Sequence, residues 1–142
     1  MRVLDRADGD LVVASPVRTP IDWQHRDDPD EFRAGWTVDP GEAIFRGHYP
    51  GFLIFPGVCL VESVHRVAVA HAAGHGVPMS LREIEHARFL RPVFPGHRII
   101  VAGRTTVEDG DIRCVATIAS AGGDDEPRPA ARVRLRYGRC TR

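Results

Sequence analysis

Between Pro56-Gly57 and Gly74 run sixteen residues, Val58 to Ala73, with no glycine or proline and apolar side chains on nearly every side. Five valines leave a strand conceivable, because β-branched residues are indifferent helix formers. Length decides against it: the run is long for a strand, and Ala68, Ala70, Ala72 and Ala73 favour helix. A helix apolar on all sides must itself be buried. The pattern therefore predicts a central helix, ended by Gly74, that the rest of the chain wraps.

The rest reads as strands and turns. Leu11 to Val17 is a plausible first strand after a polar start over 1–10, expected to be loose and flexible. Glu31 to Val38 is a second strand, beyond a charged loop over 24–30 and before the Asp39-Pro40-Gly41 turn. Residues 80–90, 98–107, 112–119 and 130–137 are four more, with Glu108-Asp109-Gly110-Asp111 a strong hairpin signal. One domain of 142 residues with 43% hydrophobic composition can bury such a helix. The expected class is α+β, an antiparallel sheet curled around one long helix.

Charge excludes several partners. Nineteen basic residues balance nineteen acidic ones, so bulk electrostatics predict neither nucleic-acid nor membrane binding. No apolar run reaches the roughly 18 residues of a spanning segment, and no leader pattern is visible. Three cysteines without CxxC spacing suit a reducing cytoplasm. Every basic residue is arginine, and six of the nineteen fall in 128–142, which has no acid. In Ala131-Arg132-Val133-Arg134-Leu135-Arg136-Tyr137 they alternate with apolar residues, as in a strand buried on one face. That leaves a solvated outer face or a docking surface for an acidic partner.

Only one segment pairs a titratable residue in a constrained loop with another in the helix. Glu62 stands among Val58, Leu60, Val61 and Val64, where ionisation is costly, and so is a candidate proton donor. Arg66, four residues on, offers the competing reading of a helical ion pair. His48, in Gly47-His48-Tyr49-Pro50-Gly51, is a candidate base or an ordinary surface histidine. The helix start supplies N–H groups at Gly57 and Val58 that can polarise a carbonyl oxygen. Glu62 lies about 7.5 Å along the axis from Gly57, its side chain tilted back toward the N-terminus. Base, acid and carbonyl clamp are the parts needed for β-elimination of water from a 3-hydroxyacyl thioester.

Gly47-His48-Tyr49-Pro50-Gly51, then Phe55-Pro56-Gly57-Val58 and Glu62, resembles the signature of FabZ-type 3-hydroxyacyl-acyl-carrier-protein dehydratases, members of the hotdog-fold superfamily. A second match, Ala87-Arg88-Phe89-Leu90-Arg91-Pro92-Val93-Phe94-Pro95-Gly96, is similar to the family's KF-xxPVxPGD strand and turn. The resemblance implies a hotdog fold, His48 as base at the α-carbon and Glu62 as acid on the departing hydroxyl. It implies amides after Pro56 that hold the thioester carbonyl, and no metal or organic cofactor. It further implies a homodimer or trimer of dimers in which one protomer's histidine works with the other's acid. Glu62, where the isomerising FabA type carries Asp, points to plain dehydration. Phe55, Cys59 and Phe89 are expected along the substrate tunnel, and Arg88 and Arg91 at the docking surface for an acidic acyl carrier protein.

The chain also departs from the pattern. Leu53 and Phe55 replace proline and methionine, Arg66 stands at a usual glutamine, and His97 replaces an aspartate. A divergent member serving fatty-acid or polyketide-type biosynthesis is the reading, with a non-catalytic hotdog subunit that binds acyl chains or scaffolds an active partner as the alternative. Thioester hydrolysis is disfavoured, since it needs an activated water. His71 and His75 have HxxxH spacing but no obvious third metal ligand. His65 and His86 read as core-edge residues, and Trp23 and Trp36 as sheet packing.

Overall fold

The computed structural model describes residues 3–7, 10–14, 17–41 and 55–140. Among the described residues one helix, α1, spans Gly57–Gly74. The strands are β1 (Val3–Ala7), β2 (Asp10–Ala14), β3 (Asp22–Gln24), β4 (Glu31–Thr37), β5 (Met79–Phe89), β6 (Arg98–Glu108), β7 (Asp111–Ala121) and β8 (Arg128–Arg139). β1 and β2 form a hairpin; the other six make one antiparallel sheet in the order β3-β4-β6-β7-β8-β5.

Strict alternation builds the inner face of this sheet. Ile112, Cys114, Ala116 and Ile118 of β7 are buried, as are Ala131, Val133, Leu135 and Tyr137 of β8, while Val115, Thr117, Arg132 and Arg134 point outward. The β6–β7 connection is the two-residue turn that the sequence signals. Glu108 faces Asp111, and Asp109 and Gly110 have φ of 51° and 83°, the left-handed pair that suits the strand twist.

α1 lies on that inner face along a single stripe: Cys59, Leu60, Ser63, Val64, Val67, Ala68 and Ala72 are buried. Ser63 is tolerated there because its hydroxyl donates to the Cys59 carbonyl at 2.7 Å. The expectation of burial on every side is corrected. Val58 is 58% exposed, and Val61, Glu62, His65, Arg66 and Val69 are half-buried, because one sheet covers only one side of a helix. The expected stop at Gly74 also moves: Gly74 is helical, His75 caps the helix, and Gly76 takes the left-handed conformation with φ of 76°.

Two further differences concern the N-terminal third. Val3–Ala7, expected as a loose start, pairs in register with Asp10–Ala14. Asp22–Gln24 adds a short edge strand to β4 just before the expected charged loop. β5 forms the opposite edge of the sheet, with Leu81, Ile84 and Phe89 exposed. No helix among the described residues is long and apolar enough to cross a membrane.

Candidate active site at the start of the central helix

The segment leading into α1 is held by the second sequence motif. Phe55 forms an isolated antiparallel bridge with Val93, its N–H donating to the Val93 carbonyl at 2.7 Å. Both residues are buried, which fixes where the helix begins. Pro56 is the N-cap in an extended conformation, with φ −61° and ψ 148°. It brings no side-chain cap, and the first turn carries no acid. The Pro56 carbonyl accepts from Cys59 and Leu60 at 2.9 and 3.3 Å. The N–H groups of Gly57 and Val58 precede these and have no acceptor within the helix.

Gly57 is required here by close approach. A Cβ at this position would lie 3.0 Å from the Phe89 ring, which lies across the helix start. Phe55, Gly57, Leu60, Phe89, Leu90, Arg91 and Pro92 line a groove of about 370 Å³. Four sequence-selected residues therefore meet: Phe55, Gly57, Phe89 and Arg91. Val58 stands at the same helix end. Cys59 lies beneath, fully buried in the core cluster rather than on the groove wall. Glu62 is half-buried on α1 and outside the groove lining. His48 lies outside the described residues, so its position relative to Glu62 is not part of this geometry.

Among the described ion pairs none joins Glu62 to Arg66. The Arg66 guanidinium stacks over Trp36, 5.1 Å from the ring centroid. His71 and His75 each bond a backbone carbonyl, Pro29 at 2.8 Å and His71 at 2.9 Å. His65 bonds the buried Tyr137 hydroxyl at 2.9 Å.

The arginine-bearing outer face divides in two. Towards the β6–β7 turn, Arg113 bonds Glu85 at 2.8 Å and also pairs with Glu108; Arg136 pairs with Asp111 at 2.7 Å and Glu83 at 3.0 Å. The hydrogen bond from Arg113, reinforced by the charges of Arg134 and Arg136, holds the Glu85 carboxyl below its ordinary range. Towards the groove, Arg88, Arg91, Arg128 and Arg132 enter no ion pair among the described residues. Arg88 sits directly opposite Arg132 across β5–β8. The sequence flagged the arginine alternation; it could not show that one half is neutralised by Glu83, Glu85 and Asp111, because those partners are 25 to 53 residues away. Leu60, Leu90 and Pro92 were not singled out, though Leu90 and Pro92 sit inside the second motif.

Comparison with known proteins adds the lineage. Residues 24–121 match the ApeI-like family model, described as ApeI dehydratase. A 3-hydroxyacyl-[acyl-carrier-protein] dehydratase FabZ of Thermus thermophilus is 34% identical over 103 residues, covering 69% of this chain and 72% of that protein. A FabZ of Yersinia pestis is 33% identical over 118 residues, covering 70% of this chain but only 65% of its own length. Among solved structures, the dehydratase heterocomplex ApeI:P of Xenorhabdus doucetiae superposes with a TM-score of 0.65 at 19% identity, covering 89% of this chain and 100% of that one. An acyl-CoA hydrolase of Staphylococcus aureus, solved in complex with coenzyme A, gives 0.66 at 15% identity, covering 80% of this chain and 66% of that one. At such identities the structures establish the shared fold. An antiparallel sheet around a central helix, these neighbours and the matched family together identify the chain as a hotdog-fold protein of the ApeI-like dehydratase family, divergent from the FabZ enzymes it resembles.

Proposed function

We propose that the protein converts 3-hydroxyacyl thioesters, borne on an acyl carrier protein, to trans-2-enoyl thioesters in fatty-acid or polyketide-type biosynthesis in the cytoplasm. The observation that carries this reading is the start of α1: two N–H donors without helical acceptors beside an apolar groove, with a carboxyl one turn further along the same helix. The thioester carbonyl accepts from the Gly57 and Val58 amides, which stabilise negative charge as it develops on that oxygen. His48 removes the α-proton, Glu62 donates a proton to the β-hydroxyl, the C–O bond breaks and water leaves. This scheme needs no metal and no organic cofactor.

A homodimer or trimer of dimers supplies the missing neighbourhood. β5 offers an unpaired sheet edge with Leu81, Ile84 and Phe89 exposed, and α1 keeps a half-buried second face beside it. In such a dimer, as the family resemblance implies, His48 of one protomer works with Glu62 of the other. Arg88 and Arg91, near the groove and without acidic partners among the described residues, are the docking points for the acidic carrier protein.

A second reading is a non-catalytic subunit that scaffolds an active hotdog partner. The structural likeness to a dehydratase heterocomplex favours it, together with Arg66 and His97 at positions where the family pattern has other residues. Incubation of the purified chain with a panel of 3-hydroxyacyl thioesters, followed by mass, separates the readings. Loss of water supports dehydration. Release of free acid indicates hydrolysis. Silence alone, with activity restored by a copurifying homologue, supports the scaffold.

A further inference from the structure

We propose that the cavity at the C-terminal end of α1 is a second ligand site, remote from the groove at the helix start, and that it takes a medium-chain carboxylate. The proposal does not depend on the dehydratase reading. The cavity has a volume of about 560 Å³, within the roughly 300–1,000 Å³ of small-molecule sites. Its lining is mainly apolar, with Ala72, Val77, Met79 and Ile112 from α1, β5, β7 and the segment between α1 and β5. That is a place for a hydrocarbon tail.

The head-group end is set by Arg139. Met79 and Arg139 are direct partners across β5–β8, so the guanidinium stem rises beside the Met79 side chain on one face of the sheet. Arg113, Arg134 and Arg136 are occupied by Glu83, Glu85, Glu108 and Asp111; Arg139 enters no ion pair among the described residues. A single planar guanidinium above an apolar pocket matches a singly charged planar head.

Two imidazoles complete the rim in fixed orientations. His71 Nε2–H donates to the Pro29 carbonyl at 2.8 Å and His75 Nδ1–H to the His71 carbonyl at 2.9 Å, with the rings 4.5 Å apart. A helix C-terminus ordinarily repels an anion. Here the carbonyls of His71, Ala72 and Ala73 already accept hydrogen bonds from His75, Gly76 and Val77. Asp30 is the one acidic side chain in the lining.

The chain contains two methionines, Met1 and Met79, so methyl-labelled methionine gives one reporter inside the cavity and one far along the sequence. Titration of the full chain with decanoate, below its micelle concentration, is expected to shift the Met79 methyl resonance saturably. Arg139→Ala should weaken the dissociation constant about tenfold, as expected for loss of a charge-assisted contact. Asp30→Asn should tighten it. Thr106→Trp, at an exposed rim position, should abolish the shift while leaving the fold intact by circular dichroism. A Met79 signal that does not move overturns the site. A shift of equal size and midpoint with decanol, or unchanged in Arg139→Ala, overturns the carboxylate assignment.

Discussion

The two ends of α1 are finished in opposite ways. At the C-terminus every orphan carbonyl from His71 to Ala73 accepts a hydrogen bond, Gly76 closes the turn, and His75 caps it. At the N-terminus the cap is a proline with no donor or acceptor side chain, no acid offsets the dipole, and Gly57 keeps the backbone bare under Phe89. A capping side chain at such a position is ordinarily worth about 1 kcal/mol. The helix start lacks that contribution from Pro56 and from its own first turn, and this is the end where the two family motifs meet through Phe55 and Val93. Stability is finished at the C-terminal end, and the N-terminal end is where the chemistry is proposed.

Substitutions at the open end should have the largest effects. Glu62→Gln keeps the shape and removes the proton; turnover should fall by about 10²–10⁴-fold with an unchanged melting temperature, the usual worth of a general acid. Unchanged kcat would remove Glu62 from the mechanism. Gly57→Ala should follow, at roughly ten- to a hundred-fold, because the new methyl displaces the Phe89 ring and shifts the carbonyl clamp. Full activity in that variant would mean the helix start does not bind the substrate.

The arginine face provides a smaller contrast of the same kind. Charge reversal at Arg88 and Arg91 should weaken carrier-protein binding about tenfold at low salt, with the difference shrinking as salt rises. The same change at Arg136, already paired with Glu83 and Asp111, should alter folding and leave docking unaffected. Equal docking losses from both would erase the distinction between the halves. The acid side gives the smallest effect. Glu85 has its folded pKa depressed, so its contribution to stability is present above its ordinary value of 4.5 and fades as pH falls through the lower folded value. The melting temperatures of wild type and Glu85→Gln should therefore differ at pH 7 and converge below pH 4.5.

Much of this was readable from local pattern. The length of Val58–Ala73 gives the helix, the Asp109-Gly110 pair gives the tightest hairpin, and alternation gives the buried faces of β7 and β8. What pattern cannot supply is the identity of whatever covers a face. Val58, Ile84 and Phe89 look like core residues in sequence and are exposed in the protomer, since apolar character does not distinguish an interior from an interface. Gly74 looked like the helix stop because a glycine anywhere near a helix end fits; the hydrogen bonds from Gly76 and Val77 decide the matter. The short edge strand at Asp22–Gln24 gains its register from β4, which composition around Pro20 conceals.

In the proposed dimer the acid of one protomer works with the base of its mate, and complementation tests this most directly. His48→Ala and Glu62→Gln, each inactive alone, are coexpressed and the mixed dimers assayed for dehydration. Random pairing puts one intact site in half of the dimers, so about a quarter of the wild-type rate should return. A mixture as silent as its parents, with mixed dimers present by mass, would contradict the shared site.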